Sequence, residues 1–337
     1  MTRIAVVGAG AWGTTLADLL ARKGGGAEIL LWAREPEVVD GINRANVNLM
    51  YLPGAALDPG VRAIGDVAAA VRGAEVVVSA APSHAVRAVM TLAAPALKQR
   101  PSPLVISVSK GLEPERLETM SCVLAEVLGG SAPIAVLSGP SFAQEVYQRQ
   151  PTAVVAAAKD REAAQRTQQV FSCSYFRVYT HTDVLGVELG GALKNVIALA
   201  AGILEGLGLG HNTRAALITR GLAEITRLGV ALGAEPLTFA GLAGMGDLIL
   251  TATGGLSRNR TLGVELGQGK QLEDALADRR SVAEGVNTAR SAVALAERYG
   301  VELPISRQVA DILFRGKSPR QAVADLMERD LKPEQWR

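Results

Sequence analysis

The sequence predicts an α/β domain built on a doubly wound, largely parallel sheet over residues 1–183, followed by an all-α domain over 184–337. Three observations carry that expectation. Short, continuously apolar runs alternate with helical stretches through the first half, as strands covered on both faces do. Near Val184 the strand signals stop and a 3.6-residue periodicity runs on towards the C-terminus. A glycine-rich loop directly follows the first strand and opens a helix.

The elements follow in order. "RIAVVG" (3–8) is an apolar strand, and the helix from about Trp12 to Lys23 turns Leu16, Leu19 and Leu20 inward. "AEILLW" (27–32) is the second strand, and a helix spans 36–45. Further strands are expected at 74–80, 103–109, 133–139, 151–158 and 175–180, with "GGG" (24–26) and "LPG" (52–54) as turns. Helices are expected at 184–205, 213–232, 242–251, 258–266, 282–299, 305–315 and 318–328. The apolar run from Val196 to Leu204 ends at Glu205 and is shorter than the roughly 18 residues of a membrane span, so none is expected.

Composition narrows the function. A net charge of +2 and 4% aromatics give little footing for nucleic acid, whereas a small anion needs only a local basic cluster. Cys122 and Cys173 lie far apart without CxxC spacing, and His84, His181 and His211 lack metal-ligand spacing. Neither a disulfide framework nor a metal site is expected, and a reducing cytoplasm fits.

Gly8, Gly10 and Gly13 form a G-x-G-x-x-G loop between strand and helix. Gly8 permits the tight turn, Gly10 lets a pyrophosphate approach, and Gly13 allows close helix–strand packing, with the helix N-terminus supplying amide donors. About twenty residues on, Arg34 suits a 2′-phosphate while Glu35 keeps a free ribose hydroxyl possible, so NAD and NADP are both open.

The second half supplies candidates for chemistry. Lys194 is a single cation within "LGGALKNVIALAAGILEG" (189–206), with no carboxylate one turn away. Asp247 follows a glycine-rich turn, where it can cap a helix or reach Lys194. In "SRNR", Ser257 is a good N-cap, and Arg258 stands in a first turn where a cation is unfavourable unless an anion binds. Lys110 and the loop Gly139–Pro140–Ser141 follow strands, where α/β sheets bind ligands. G-P-S-F-A is not a nucleophile elbow, which disfavours a serine hydrolase.

The segments GAGAWG, APSH, SKGLE, SGPSFA, LGGALKN, LITRGLAEITRLG, GLAGMGDL, SRNR and VAEG, in this order and spacing, resemble bacterial NAD(P)-dependent glycerol-3-phosphate dehydrogenases over essentially the whole chain. The resemblance implies a Rossmann-type first domain and a 6-phosphogluconate-dehydrogenase-like helical second one. It implies NAD(P)H as cofactor, reduction of dihydroxyacetone phosphate to sn-glycerol 3-phosphate for phospholipid synthesis, and a homodimer. Lys194 falls on the family's catalytic lysine, and Asp247 is expected to act with it. Substrate contacts fall on Lys110, Gly139, Ser141, Lys194, Asp247, Ser257, Arg258 and Asn259. Nucleotide contacts fall on the loop at Ala11 and Trp12, then Arg34, Lys110, Ala143, Arg258, Val282 and Glu284. Gln144 and "TATGGLSRN" depart from the family's usual residues. Two alternatives stand beside this reading: a related β-hydroxyacid dehydrogenase acting on a non-phosphorylated carboxylate, and a non-catalytic NAD(P)-sensing protein.

Overall fold

The apolar runs pair edge to edge in a computed structural model that describes residues 2–98, 102–130, 132–277, 283–331 and 333–334. The strands are β1 (Arg3–Val7), β2 (Glu28–Trp32), β3 (Val61–Ile64), β4 (Val76–Ser79), β5 (Leu104–Ser107), β6 (Ile134–Ser138), β7 (Thr152–Ala157) and β8 (Phe176–His181). They form one sheet in the order β3-β2-β1-β4-β5-β6-β7-β8, parallel except for the antiparallel β6–β7 pair. An apolar run announces a buried strand but not its direction, so that reversal had no sequence signal. Strand β3 was not expected either. It has four residues, with Arg62 exposed, and it lies at the sheet edge.

Helices α1 (Ala11–Lys23), α2 (Pro36–Ala45), α3 (Val67–Val71), α4 (Val86–Ala93), α5 (Met120–Val127), α6 (Ala143–Tyr147) and α7 (Arg161–Phe171) cover the sheet. One face packs Val6, Val78 and Ile106 with Leu16, Leu19 and Phe171; the other packs Val7, Val77 and Val105 with Met90 and Leu124. Strand order turns at β1, whose neighbours β2 and β4 lead outward in opposite directions, so a crevice opens at the carboxyl ends of β1 and β4.

The second half is helical: α8 (Val184–Gly206), α9 (His211–Ala231), α10 (Asp247–Thr253), α11 (Arg258–Gly267), α12 (Leu272–Ala277), α13 (Glu284–Tyr299), α14 (Pro304–Arg315) and α15 (Pro319–Met327). The short α12 was not anticipated, since six residues carry little periodicity. The expected helix at 242–251 is two elements, a π-helical turn at Leu242–Gly246 and then α10.

Helix α8 lies where it is expected, but its apolar character extends well beyond the run Val196–Leu204. All 23 residues match a bilayer span in length and composition, yet the helix is buried inside the protein as its core. Its crossing with α11 is made by glycines. A Cβ on Gly202 would stand 2.0 Å from Arg260 O, and one on Gly263 would stand 2.2 Å from Leu199 O. That backbone-to-backbone contact brings the start of α11 against the Lys194 turn of α8.

Candidate active site

The glycine loop meets three different local demands. Gly8 has φ 123°, and a Cβ there would lie 2.7 Å from Ala80 C at the end of β4. A Cβ on Gly13 would lie 1.9 Å from Gly8 O, so a side chain has no room. At Gly10 a Cβ would meet nothing within 4 Å, which leaves the backbone open to an approaching group. Helix α1 starts at Ala11 and Trp12 with no side-chain cap and no acidic residue in its first turn, so its amide dipoles face the crevice unopposed. The indole Nε1 of Trp12 is buried with no hydrogen-bond partner among the described residues. Ala143 begins α6 beside this loop, and its carbonyl accepts from Thr15 Oγ1 at 3.3 Å. These features fit the diphosphate of a dinucleotide.

Lys194 lies on α8, 6% exposed. Its Nζ donates to Asp247 Oδ1 at 2.6 Å and to Thr251 Oγ1 at 2.6 Å. Of the two roles open to Asp247, the ion pair is the one found, and its side chain does not cap α10. The other carboxylate oxygen, Oδ2, accepts from Lys110 Nζ at 2.6 Å. Lys110 also donates to Gly139 O at 2.8 Å and reaches Ser141 Oγ at 3.4 Å, which ties the loops after β5 and β6 to α10. Ser141 Oγ in turn donates to Gly139 O at 2.9 Å. One buried carboxylate therefore sits between two ammonium groups.

That balance sets the proton affinity of Lys194. Burial pushes its pKa down, the Asp247 charge raises it, and the positive fields of Lys110 and Arg258 lower it again, leaving it at about 8. A buried amine that changes charge near neutrality can give a proton or take one.

The start of α11 forms the opposite wall. Ser257 is the N-cap expected of it, accepting from Arg260 N at 3.2 Å, which among the described residues leaves the amides of Arg258 and Asn259 as the open donors of the first turn. Arg258 makes no ion pair or hydrogen bond among the described residues. Crowding by surrounding protein lowers its guanidinium pKa, with Glu284 opposing. The Asn259 side chain serves the scaffold. Its Nδ2 donates to Asn195 Oδ1 at 3.0 Å, and its Oδ1 accepts from Gly285 N at 3.0 Å, so both ends of the side-chain amide are engaged within the protein. Arg260 turns away to pair with Glu205 at 2.5 Å.

Not every expected residue joins this cluster. Glu284 Oε1 accepts from Ser83 N at 3.0 Å and Oε2 from Ser83 Oγ at 2.5 Å, so it links α13 to the sheet half beside Gly111. Arg34 is exposed beyond β2 and pairs with Glu35 at 2.8 Å. Val282 lies outside the described residues. The sequence reading missed Thr251 and gave Asn195 no role. Thr251 stands four residues after Asp247 on one helix face, a spacing that signals it. The link from Ser83 to Glu284, 201 residues apart, had no such signal.

Comparisons with known proteins point to one family. A family model described as the N-terminus of NAD-dependent glycerol-3-phosphate dehydrogenase matches residues 3–164, and the model of its C-terminus matches 183–324. The chain is 56% identical over 336 residues to glycerol-3-phosphate dehydrogenase [NAD(P)+] of Geobacter sulfurreducens, covering 99% of each chain. It is 51% identical over 339 residues to the protein of the same name from Koribacter versatilis, covering 100% of each. The crystal structure of glycerol-3-phosphate dehydrogenase from Coxiella burnetii superposes with a TM-score of 0.92 at 39% identity, covering 97% of this chain and 99% of that one.

Proposed function

Because this chain belongs to the NAD-dependent glycerol-3-phosphate dehydrogenase family, we propose that it reduces dihydroxyacetone phosphate reversibly to sn-glycerol 3-phosphate, with Lys194 as proton donor and acceptor. One observation carries the residue assignment: a nearly inaccessible ammonium, held by Asp247 and Thr251, whose pKa lies near 8.

When bound, NAD(P)H supplies the hydride that reaches the substrate's C2 carbon. Lys194 holds the C2 oxygen and gives it a proton as the carbonyl becomes a hydroxyl; in reverse, the neutral amine takes that proton. Asp247 aims the amine and offsets the charge of Lys110. Lys110, Gly139 and Ser141 close the side towards the sheet, and Gly8, Gly10, Ala11, Trp12 and Gly13 hold the dinucleotide with Ala143 behind them. The substrate phosphate goes to the open amides of Arg258 and Asn259, the turn capped by Ser257, and the unpaired Arg258 guanidinium. Anchoring phosphate and carbonyl at separate points lets binding energy fix the hydride distance.

Units of 1–183 and 184–337 complete the reading; β8 ends at His181 and α8 begins at Val184, which supports that division. So do a homodimer and a cytoplasmic location, supported respectively by exposed Leu237, Met245, Ile249 and Leu256 and by two unpaired cysteines. The alternatives are not favoured: the relatives at 51–56% identity carry the dehydrogenase name over their full length, and the basic start of α11 suits phosphate better than a carboxylate. Lys194→Ala tests the assignment. Its kcat should fall about a thousandfold while NADH binds as before, and near-normal turnover refutes the role.

A further inference from the structure

The carboxylate of Glu35 is engaged on one oxygen only. Its Oε1 accepts from Arg34 Nε at 3.0 Å, from Arg34 Nη2 at 2.8 Å and from the Tyr51 hydroxyl at 3.2 Å. Oε2 has no hydrogen-bond partner among the described residues. The Arg34 side chain is 81% exposed, that of Glu35 20%. Arg34 thus lies almost wholly in solvent, whereas Glu35 is largely enclosed. Tyr51 is itself anchored: its amide donates to Asn48 Oδ1 at 3.1 Å, and the fully buried Asn48 donates to Ala9 O and Thr14 Oγ1, each at 2.8 Å. The hydroxyl that holds Glu35 is therefore fastened to the glycine loop.

We propose that Tyr51 lets this site accept both nicotinamide dinucleotides, by holding Glu35 Oε1 so that Arg34 can leave it for a 2′-phosphate while Oε2 stays open to a ribose hydroxyl. The proposal rests on the reading of the glycine loop as the dinucleotide site. With a free 2′-hydroxyl, Arg34 stays on Oε1 and the ribose donates to Oε2. With a 2′-phosphate, the guanidinium moves to the phosphate, and Glu35 loses its cationic partner beside a dianion. The Tyr51 hydroxyl keeps that carboxylate solvated and turned back. Burial and the Glu35 charge raise the Tyr51 phenol pKa, so it remains a donor. Without the hydroxyl, each molecule of NADPH would have to leave a bare carboxylate next to its phosphate.

Calorimetric titration of the full chain with NADH and with NADPH, at one salt concentration, reads this directly. Tyr51→Phe should weaken NADPH about tenfold and NADH less than about twofold. Glu35→Gln should favour NADPH, and adding Tyr51→Phe to it should leave selectivity where it was. Equal weakening of both dinucleotides by Tyr51→Phe, or the same loss of selectivity in the Glu35→Gln background, overturns the proposal. A wild-type chain that binds neither dinucleotide overturns the cofactor-site reading, and the proposal with it.

Discussion

The sheet half and the helical half of the molecule bury charge very differently. Among the described residues, the only ionisable acid or base buried in the sheet half is Asp18, ion-paired with Arg22 at 2.7 Å and accepting from Asp58 N at 2.7 Å. The helical half buries Glu188, Lys194, Glu224 and Asp247. The first half prepares for a charged ligand with bare backbone: a helix start without a side-chain cap and glycines that remove obstruction. The second half spends hydrophobic stability on fixed charges, each costly unless partnered. Binding a dinucleotide asks for shape and dipoles, whereas moving a proton asks for a group whose charge is poised.

If the sheet half works by shape, its glycines should fail in different ways. Gly13→Ala drives a methyl into Gly8 O and should cost about 3 kcal/mol, read as a lower unfolding temperature. Gly10→Ala meets no protein atom, so it should fold normally and weaken dinucleotide binding about tenfold. Equal thermal stability of the two variants would break the contrast.

The same contrast explains what could be read from the sequence. Continuous apolar runs and the loop glycines are local, and they located seven of the eight strands and the dinucleotide crevice. Lys194 was conspicuous because a cation stood alone in an apolar helix, but nothing local chose between capping and ion pairing for Asp247. That choice depends on glycine contacts between α8 and its neighbours, such as Gly190 against Ala243 O, which act across the fold. Asn259 shows the limit: the family resemblance implies a ligand contact there, while its side chain bridges α8 and α13.

Glu224 sharpens the comparison from the other side, as a buried carboxyl group outside the Lys194–Asp247 cluster. It accepts from Ile305 N at 2.6 Å and from Ser306 N at 3.2 Å at the start of α14, and burial pushes its pKa to about 7 from 4.5. Between those values the folded state holds a proton that the unfolded chain has lost. The contribution of Glu224 to stability should therefore be fully present below pH 4.5 and fall by roughly 3 kcal/mol as pH rises through 7. Glu224→Gln should flatten that slope in denaturant titrations at several pH values; an unchanged slope removes Glu224 as its source. Arg258→Ala comes next in size. It should raise the KM for dihydroxyacetone phosphate about thirtyfold with a smaller change in kcat, and a loss confined to kcat would argue against phosphate binding there.

The smallest effect per step discriminates most sharply, because it follows one proton. With Lys194 as the proton carrier proposed above, oxidation of glycerol 3-phosphate needs the neutral amine, so its kcat/KM should climb tenfold per pH unit and level off above about 8. Reduction needs the ammonium and should decline above the same point. Asp247 supplies the main influence holding that pKa up, whereas burial, Lys110 and Arg258 press it down. Replacing Asp247 by Asn should thus slow the enzyme and also move both midpoints to lower pH, an outcome that a purely structural role for Asp247 does not produce. Midpoints that stay in place, or move upward, would assign the titration to a group other than Lys194.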